Sequence, residues 1–169
     1  MIWYVLLVAA IGAERLVELV VAERNRRWSR ERGGTEFGSR HYPVMVILHT
    51  GLLAGCLFEA VALHRPFLPA LGFPMLALVV AAQVLRWWCI TTLGRQWNTR
   101  VIVVPGASRI TGGPYRMIPH PNYVAVIVEG FALPLVHSAW ITALVFTVLN
   151  AALLKTRLSV ENTALARLR

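Results

Sequence analysis

The chain contains no aspartate, and its two cysteines, Cys56 and Cys89, stand apart in apolar segments with neither a Cys-x-x-Cys pair nor metal-ligand spacing. No disulfide framework is expected from such a pattern. A Walker loop and a nucleophile motif are also missing, which argues against phosphoryl transfer and hydrolysis. No second histidine or cysteine lies at ligand spacing from His120, so metal binding is not expected there. Internal repeats and low-complexity linkers are absent too, and residues 1–169 read as one domain.

Apolar sequence is what the chain has in quantity. Hydrophobic residues make up 57% of 169 positions and the mean hydropathy is +0.59, a balance that points to an integral membrane protein. Ile2 to Ala22 is an apolar run of 21 residues, roughly 32 Å as a helix and enough for a bilayer core. It is too long, and too acidic at Glu14 and Glu18, for a cleaved signal peptide. Val44 to Leu63 and Phe67 to Ile90 also reach spanning length and are separated by Pro66, predicting a tight helical hairpin. Tyr123 to Leu154 is interrupted at Leu133-Pro134-Leu135-Val136-His137-Ser138. Its two arms are individually short, and predict a second hairpin extended past the bilayer or shielded by the other helices. The expected fold is all-α, an integral membrane protein of about five transmembrane helices that ends in a C-terminal helical hairpin.

The basic residues give an independent test of topology, because positive charge in short loops is retained on the cytoplasmic side. Arg24, Arg26, Arg27, Arg30, Arg32 and Arg40 follow the first span. Arg95, Arg100, Arg109 and Arg116 follow the third, and Lys155, Arg157, Arg167 and Arg169 follow the fifth. Fourteen of the 17 basic side chains thus share one face; Arg65 is left on the other, while Arg15 and Arg86 lie within spans. The N-terminus is expected outside and the C-terminus in the cytosol, which for a bacterial chain means the inner membrane. The net charge of +9 reads as topology and contact with anionic lipid headgroups. It does not suggest nucleic acid, because the arginines divide among three membrane-flanking segments.

Charges inside spans are costly and should face a partner or a cavity. Glu14, Arg15, Glu18, Glu59, Arg86 and Glu129 qualify. Arg15 and Glu18 have the i,i+3 spacing of a helical ion pair. Glu59, near an outer boundary, is expected to reach the headgroups. Arg86, beside Trp87 and Trp88, reads either as an interfacial anchor or as a guanidinium stabilising anionic charge in a reaction cavity. Glu129 follows Asn122 by two helical turns and shares a face with it and Val126; it reads either as a base or as the partner of an arginine on another helix. His41 and His49 fit an interface or the bundle interior equally well. The 28-residue segment from Thr92 to Pro119 has the length of a functional loop. It carries Val101-Ile102-Val103-Val104 as a short extended piece, with turns at Pro105-Gly106 and Gly112-Gly113-Pro114.

Gly113-Pro114-Tyr115, His120-Pro121-Asn122-Tyr123, and Arg157 followed four residues later by Glu161 resemble the signatures of isoprenylcysteine carboxyl methyltransferase-like membrane enzymes. Leu85-Arg86, Leu93-Gly94 and Trp97-Asn98 extend the likeness upstream, so that it covers most of residues 85 to 165. The first half, with Glu14-Arg15-Leu16-Val17-Glu18-Leu19, Glu23-Arg24-Asn25 and His41-Tyr42-Pro43, looks most like the small bacterial branch associated with type III polyketide synthases.

The resemblance implies an S-adenosylmethionine-dependent methyltransferase with a cytosolic cofactor pocket and a lipophilic acceptor entering from the bilayer. It implies that His120, Pro121 and Tyr123 help form that pocket, that Gly113, Pro114 and Tyr115 shape its approach, and that Arg157 and Glu161 close it. It links Arg86 to acceptor positioning and catalysis. The favoured acceptor is a long-chain alkylresorcinol or alkylpyrone, with a type III polyketide synthase as pathway partner. Rival readings are carboxyl methylation of a prenylated cysteine, N-methylation of a lipid amine, and a noncatalytic membrane scaffold or lipid-binding partner of a biosynthetic complex. Pro119 stands where the family has an arginine, Asn162 where it has a second acidic residue, and Ala125 at a usual glycine.

The chemistry of methyl transfer is consistent with such a site. An in-line approach and exclusion of water suffice, without metal or covalent intermediate. A phenolic or enolic oxygen must also lose its proton, since a free phenol has a pKa of about 10. Glu129 is the candidate base or acceptor-orienting group, and Arg86 the candidate oxyanion partner. A carboxylate acceptor is already ionised and needs no base.

Overall fold

A computed structural model describes residues 1–166. Arg167 and Arg169, counted above among the basic flanks, lie outside the described residues. Five helices run back and forth: α1 (Ile2–Arg30), α2 (Tyr42–Ala62), α3 (Pro69–Leu93), α4 (Pro121–Leu135) and α5 (Trp140–Ala166). The breakers fall where the sequence predicts them, at the Pro66 turn and across Val136 to Ala139, where Ser138 takes a left-handed φ of 57°.

The described residues are those of an all-α integral membrane protein. Helices α2, α3 and α5 are long and apolar enough to cross a membrane. Helix α1, at 29 residues, is long enough but carries Glu14, Arg15 and Glu18 in its middle. Helix α4 has only 15 residues, roughly 22 Å and short of a core of about 30 Å. Three of the five expected spans therefore satisfy length and apolarity together. The other two depend on neighbours: α1 has its charges matched by α3 and α4, and α4 buries Ala125, Glu129, Gly130, Ala132, Leu133 and Pro134 against the bundle.

Helix α4 packs between α3 and α5. Gly130 makes the second contact close, since a Cβ there would lie 2.0 Å from Phe146 Cε1. The main core gathers Tyr4, Val8 and Ile11 of α1, Leu52 and Cys56 of α2, Val79 of α3, Leu133 of α4 and Phe146 of α5. The Tyr4 hydroxyl donates to the Leu133 carbonyl at 3.0 Å, which satisfies a buried polar group that would otherwise cost stability. Large apolar side chains such as Leu6, Ile47, Phe58, Val84 and Leu144 point outward, the arrangement a lipid-facing surface requires. Cys56 and Cys89 are both free and buried.

Glu59 does not reach the headgroups. It is buried, and its carboxylate accepts from the backbone N–H groups of Ile141 (3.2 Å) and Thr142 (2.7 Å) and from the Thr142 hydroxyl (2.8 Å). A side chain of α2 thereby caps the first turn of α5, whose N–H groups lack intrahelical partners. Arg65 completes the site with an ion pair to Glu59 at 3.0 Å.

At the opposite, basic end α1 continues as far as Arg30, eight residues past the apolar run. Glu23 pairs with Arg26 and Arg27 at helical spacing, and Asn25 donates to the carbonyls of Gly94 (3.0 Å) and Trp97 (2.7 Å). The extended piece is β2 (Val101–Val103), antiparallel to β1 (Thr35–Phe37) in the register Thr35↔Val103, Glu36↔Ile102 and Phe37↔Val101. Arg100 ties the two strands together through Glu36 at 2.6 Å.

Candidate active site

The Gly113-Pro114-Tyr115 segment is a 3-10 turn, Gly113–Arg116, pinned to the last turns of α3. Gly113 has φ +53°, and a Cβ there would approach Thr92 Oγ1 to 2.6 Å and Trp88 Nε1 to 3.1 Å. Only glycine satisfies both the dihedral and the contact. Pro114 is buried beneath the turn, and the Tyr115 hydroxyl donates to the Cys89 sulfur. Burial raises the Tyr115 phenol well above its ordinary value, so it stays neutral.

Pro121 opens α4 at a position where a proline loses no helical hydrogen bond. His120, just before it, stacks on Tyr123, with ring centroids 5.6 Å apart and planes inclined by 16°. Both reach across to Glu161 on α5: the Tyr123 hydroxyl donates to Oε2 at 2.5 Å and His120 Nδ1 lies 3.5 Å from Oε1. One helical turn earlier on α5, Arg157 sets its guanidinium 5.7 Å from the Tyr123 ring and donates to the Thr99 carbonyl at 2.9 Å and to the Met45 sulfur. Residues nearly forty positions apart thus converge on one constellation.

A cavity of about 230 Å³ opens there, lined by Tyr115, His120, Tyr123, Arg157 and Glu161 together with loop residues such as Arg109 and Ile110. Gly113, Pro114 and Pro121 do not line it; they hold the backbone from behind. Pro119 is part of the lining, and Asn162 is a hydrogen-bond partner of His120.

A second cavity, also about 230 Å³, lies inside the bundle. Leu16, Leu19, Val46, Leu53, Val126 and Leu153 give it an apolar lining, and Arg15, Glu18, His49, Arg86, Asn122 and Asn150 supply its polar groups. The two cavities have Trp97, Asn98, Asn122, Tyr123 and Arg157 in common. Several buried atoms on or near this shared wall have no hydrogen-bond partner: Trp97 Nε1, Asn122 Oδ1, Asn150 Oδ1 and Arg157 Nε. Orphaned buried polar atoms are uncommon and call for an explanation such as an absent ligand or water.

Arg86 is only 4% exposed, so it is no interfacial anchor. It pairs with Glu129 and lies 3.5 Å from Glu18. Arg15 pairs with Glu18 at 2.7 Å, as its spacing suggested, and also with Glu129 at 3.1 Å. Gln83 bridges, donating to Glu14 and accepting from Arg15 at 3.1 Å. Glu129 is therefore the partner of two arginines on other helices. It lies behind them rather than among the residues lining the cavity.

Sequence reasoning alone did not single out Gln83, Asn150 or Met45. For the first two a signal existed: a carboxamide in the middle of an apolar helix needs a partner.

The His120–Glu161 pair leads to a titration test. The hydrogen bond to Glu161 raises the His120 pKa, outweighing the opposing effect of burial. The pair's stabilisation is then complete below the ordinary histidine value, near 6.5, and is lost as pH rises through the raised folded value. In an NMR titration, the His120 ring is expected to titrate above free histidine and to move back down in Glu161→Gln. A wild-type value at or below that of free histidine contradicts the pairing.

Known proteins resemble the chain over the segment that carries these residues. The model of the Isoprenylcysteine carboxyl methyltransferase (ICMT) family matches residues 75–167, the half of the chain that contributes most of α3, the loop, α4 and α5. The uncharacterized protein YpbQ of Bacillus subtilis (strain 168) is 35% identical over 166 residues, 98% of this chain and 96% of its own. An uncharacterized protein of Haemophilus influenzae (strain ATCC 51907 / DSM 11121 / KW20 / Rd) is 24% identical over 161 residues, 95% of this chain and 93% of its own. The chain belongs to the isoprenylcysteine carboxyl methyltransferase family of membrane methyltransferases.

Proposed function

We propose that the protein is an S-adenosylmethionine-dependent O-methyltransferase acting on a lipophilic small molecule. One observation carries this reading: a cavity of mixed lining among the basic loops and a more apolar cavity inside the bundle have a wall in common, containing Asn122, Tyr123 and Arg157. A water-soluble methyl donor and a membrane-borne acceptor need such an arrangement if they are to meet with water excluded.

The donor set of the loop cavity fits the cofactor. The Tyr123 ring and the Glu161 carboxylate suit a sulfonium cation, Arg109 suits a carboxylate, and Val101 and Ile110 suit an apolar ring face. S-adenosylmethionine, when bound, supplies a methyl group activated by its sulfonium. His120 and Tyr123 orient Glu161 toward it, Arg157 braces the Tyr123 ring from α5, and Gly113, Pro114, Tyr115 and Pro121 fix the backbone around them. On the acceptor side, Arg86 meets developing negative charge on the nucleophilic oxygen, and Glu129 positions Arg86 through their ion pair.

The acceptor we favour is a long-chain alkylresorcinol or alkylpyrone supplied by a type III polyketide synthase; this rests on the resemblance of the first half to one bacterial branch. We place the basic end in the cytosol of a bacterial inner membrane, by the charge rule.

Calorimetry of S-adenosylmethionine binding to detergent-purified protein tests the reading. Saturable binding is expected in the wild type, weakened roughly 10–100-fold in Tyr123→Ala and Glu161→Ala, the equivalent of one or two charge-assisted contacts. An acceptor screen with alkylresorcinols, alkylpyrones and prenylcysteines follows. If folded wild type fails to bind in both lipid and detergent, the proposal falls and a membrane scaffold becomes the better account.

A further inference from the structure

His49, one turn into the apolar part of α2, faces the intramembrane cavity. Its Nδ1 lies 2.8 Å from the Met45 carbonyl oxygen. A carbonyl only accepts, so Nδ1 carries the ring proton, and a neutral imidazole then presents Nε2 as an acceptor. The edge of Phe146 holds the ring plane, with centroids 5.4 Å apart at 87°. Among the described residues no hydrogen bond occupies Nε2. The tautomer and the plane are fixed, and the lone pair is left free.

The carboxylates nearby are engaged. Glu129 is committed to Arg15 and Arg86, and Glu18 to the same two arginines. The charged groups acting on His49 are Arg15 of α1, Arg86 of α3 and Glu129 of α4, and Arg157 of α5 lines the same cavity.

Resting on the methyltransferase reading above, we infer that His49 is the general base of the reaction, removing the proton from a phenolic or enolic hydroxyl of the acceptor while Arg15 and Arg86 face the resulting oxyanion. The O–H bond breaks and its proton passes to Nε2. The oxygen electron pair forms the new bond to the methyl carbon as the carbon–sulfur bond of the sulfonium donor breaks, and that pair remains on sulfur as a thioether. The imidazolium returns its proton to water after turnover. The ordinary phenol pKa, about 10, lies above the ordinary imidazole value of about 6.5, and the two guanidiniums narrow that gap by stabilising the phenolate. The site therefore selects acceptors with an acidic hydroxyl on an apolar chain, and a carboxylic acid gains nothing from His49.

The test uses a long-chain alkyl nitrophenol without cofactor, at a pH about one unit below the probe's own pKa. Wild type is expected to bind it as phenolate, seen as the phenolate absorption band. His49→Asn keeps a donor for the Met45 carbonyl but has no counterpart of Nε2, and is expected to bind the probe as neutral phenol, with the ionised fraction at least about fivefold lower. A merely structural histidine is rescued by this variant; a base is not. With cofactor, turnover on phenols should fall about 10²–10⁴-fold in His49→Asn, less for more acidic phenols. Equal phenolate in both proteins, or a wild type that leaves the probe neutral or unbound, overturns the inference. Phenolate formation in a wild type that does not bind S-adenosylmethionine overturns the methyltransferase reading alone.

Discussion

Glu129→Ala should destabilise the protein by about 3–5 kcal/mol, the usual cost of removing one partner from a buried ion pair. Glu129 is 5% exposed and accepts from both Arg15 and Arg86. Its loss leaves two guanidiniums in an apolar bundle with Glu18 as the carboxylate near both and Glu14 near Arg15 alone, and desolvated charge is expensive. Replacing Arg86 and Glu129 together with apolar residues of similar volume should cost far less, because no unpaired charge is then created there. Chemical unfolding in detergent, followed by tryptophan fluorescence, measures both. A single-variant loss below about 1 kcal/mol means that water reaches the cluster and that the charges are solvated rather than paired.

Glu59→Ala carries the second large effect, about 3 kcal/mol. A lost helix cap alone costs about 0.5–2 kcal/mol, and here Thr142 loses both a backbone and a hydroxyl partner while Arg65 loses its counterion. Arg65 sits at the boundary, 5.1 Å over the Trp140 ring, and retains access to solvent. The loss is therefore smaller than at the central cluster. Glu59→Gln keeps a single acceptor oxygen, which can serve Thr142 but not Ile141 as well, and should recover about half. If alanine and glutamine behave alike, the cap contributes nothing and the ion pair accounts for the effect.

Helix positions were legible because apolar runs and their breakers act locally: Pro66 and the Leu133–Ser138 interruption bounded the helices to within a few residues. Strand β1 was not legible, since three residues carry no periodicity and its stability comes from β2, more than sixty positions away. The extension of α1 to Arg30 was hidden for a similar reason, because Asn25 is fixed by carbonyls of a distant loop. At the site, the motif residues His120, Tyr123, Arg157 and Glu161 could be named from the sequence, yet not that Arg157 would touch Thr99 and Met45. Arg86 and Glu129 each had two readings that only tertiary neighbours could separate. Glu59 misled, because snorkelling and capping of another helix look alike when a single helix is read alone.

The shortness of α4 also bears on the surrounding lipid. Ile127 and Phe131 leave its outer side open, so on that flank the annulus meets an apolar band of roughly 22 Å between longer helices. Hydrophobic mismatch of this size is relieved by local thinning of the bilayer or by tilt. Thinning there brings the headgroup plane closer to the buried arginines, and it makes membrane thickness a determinant of how far those charges lie from water.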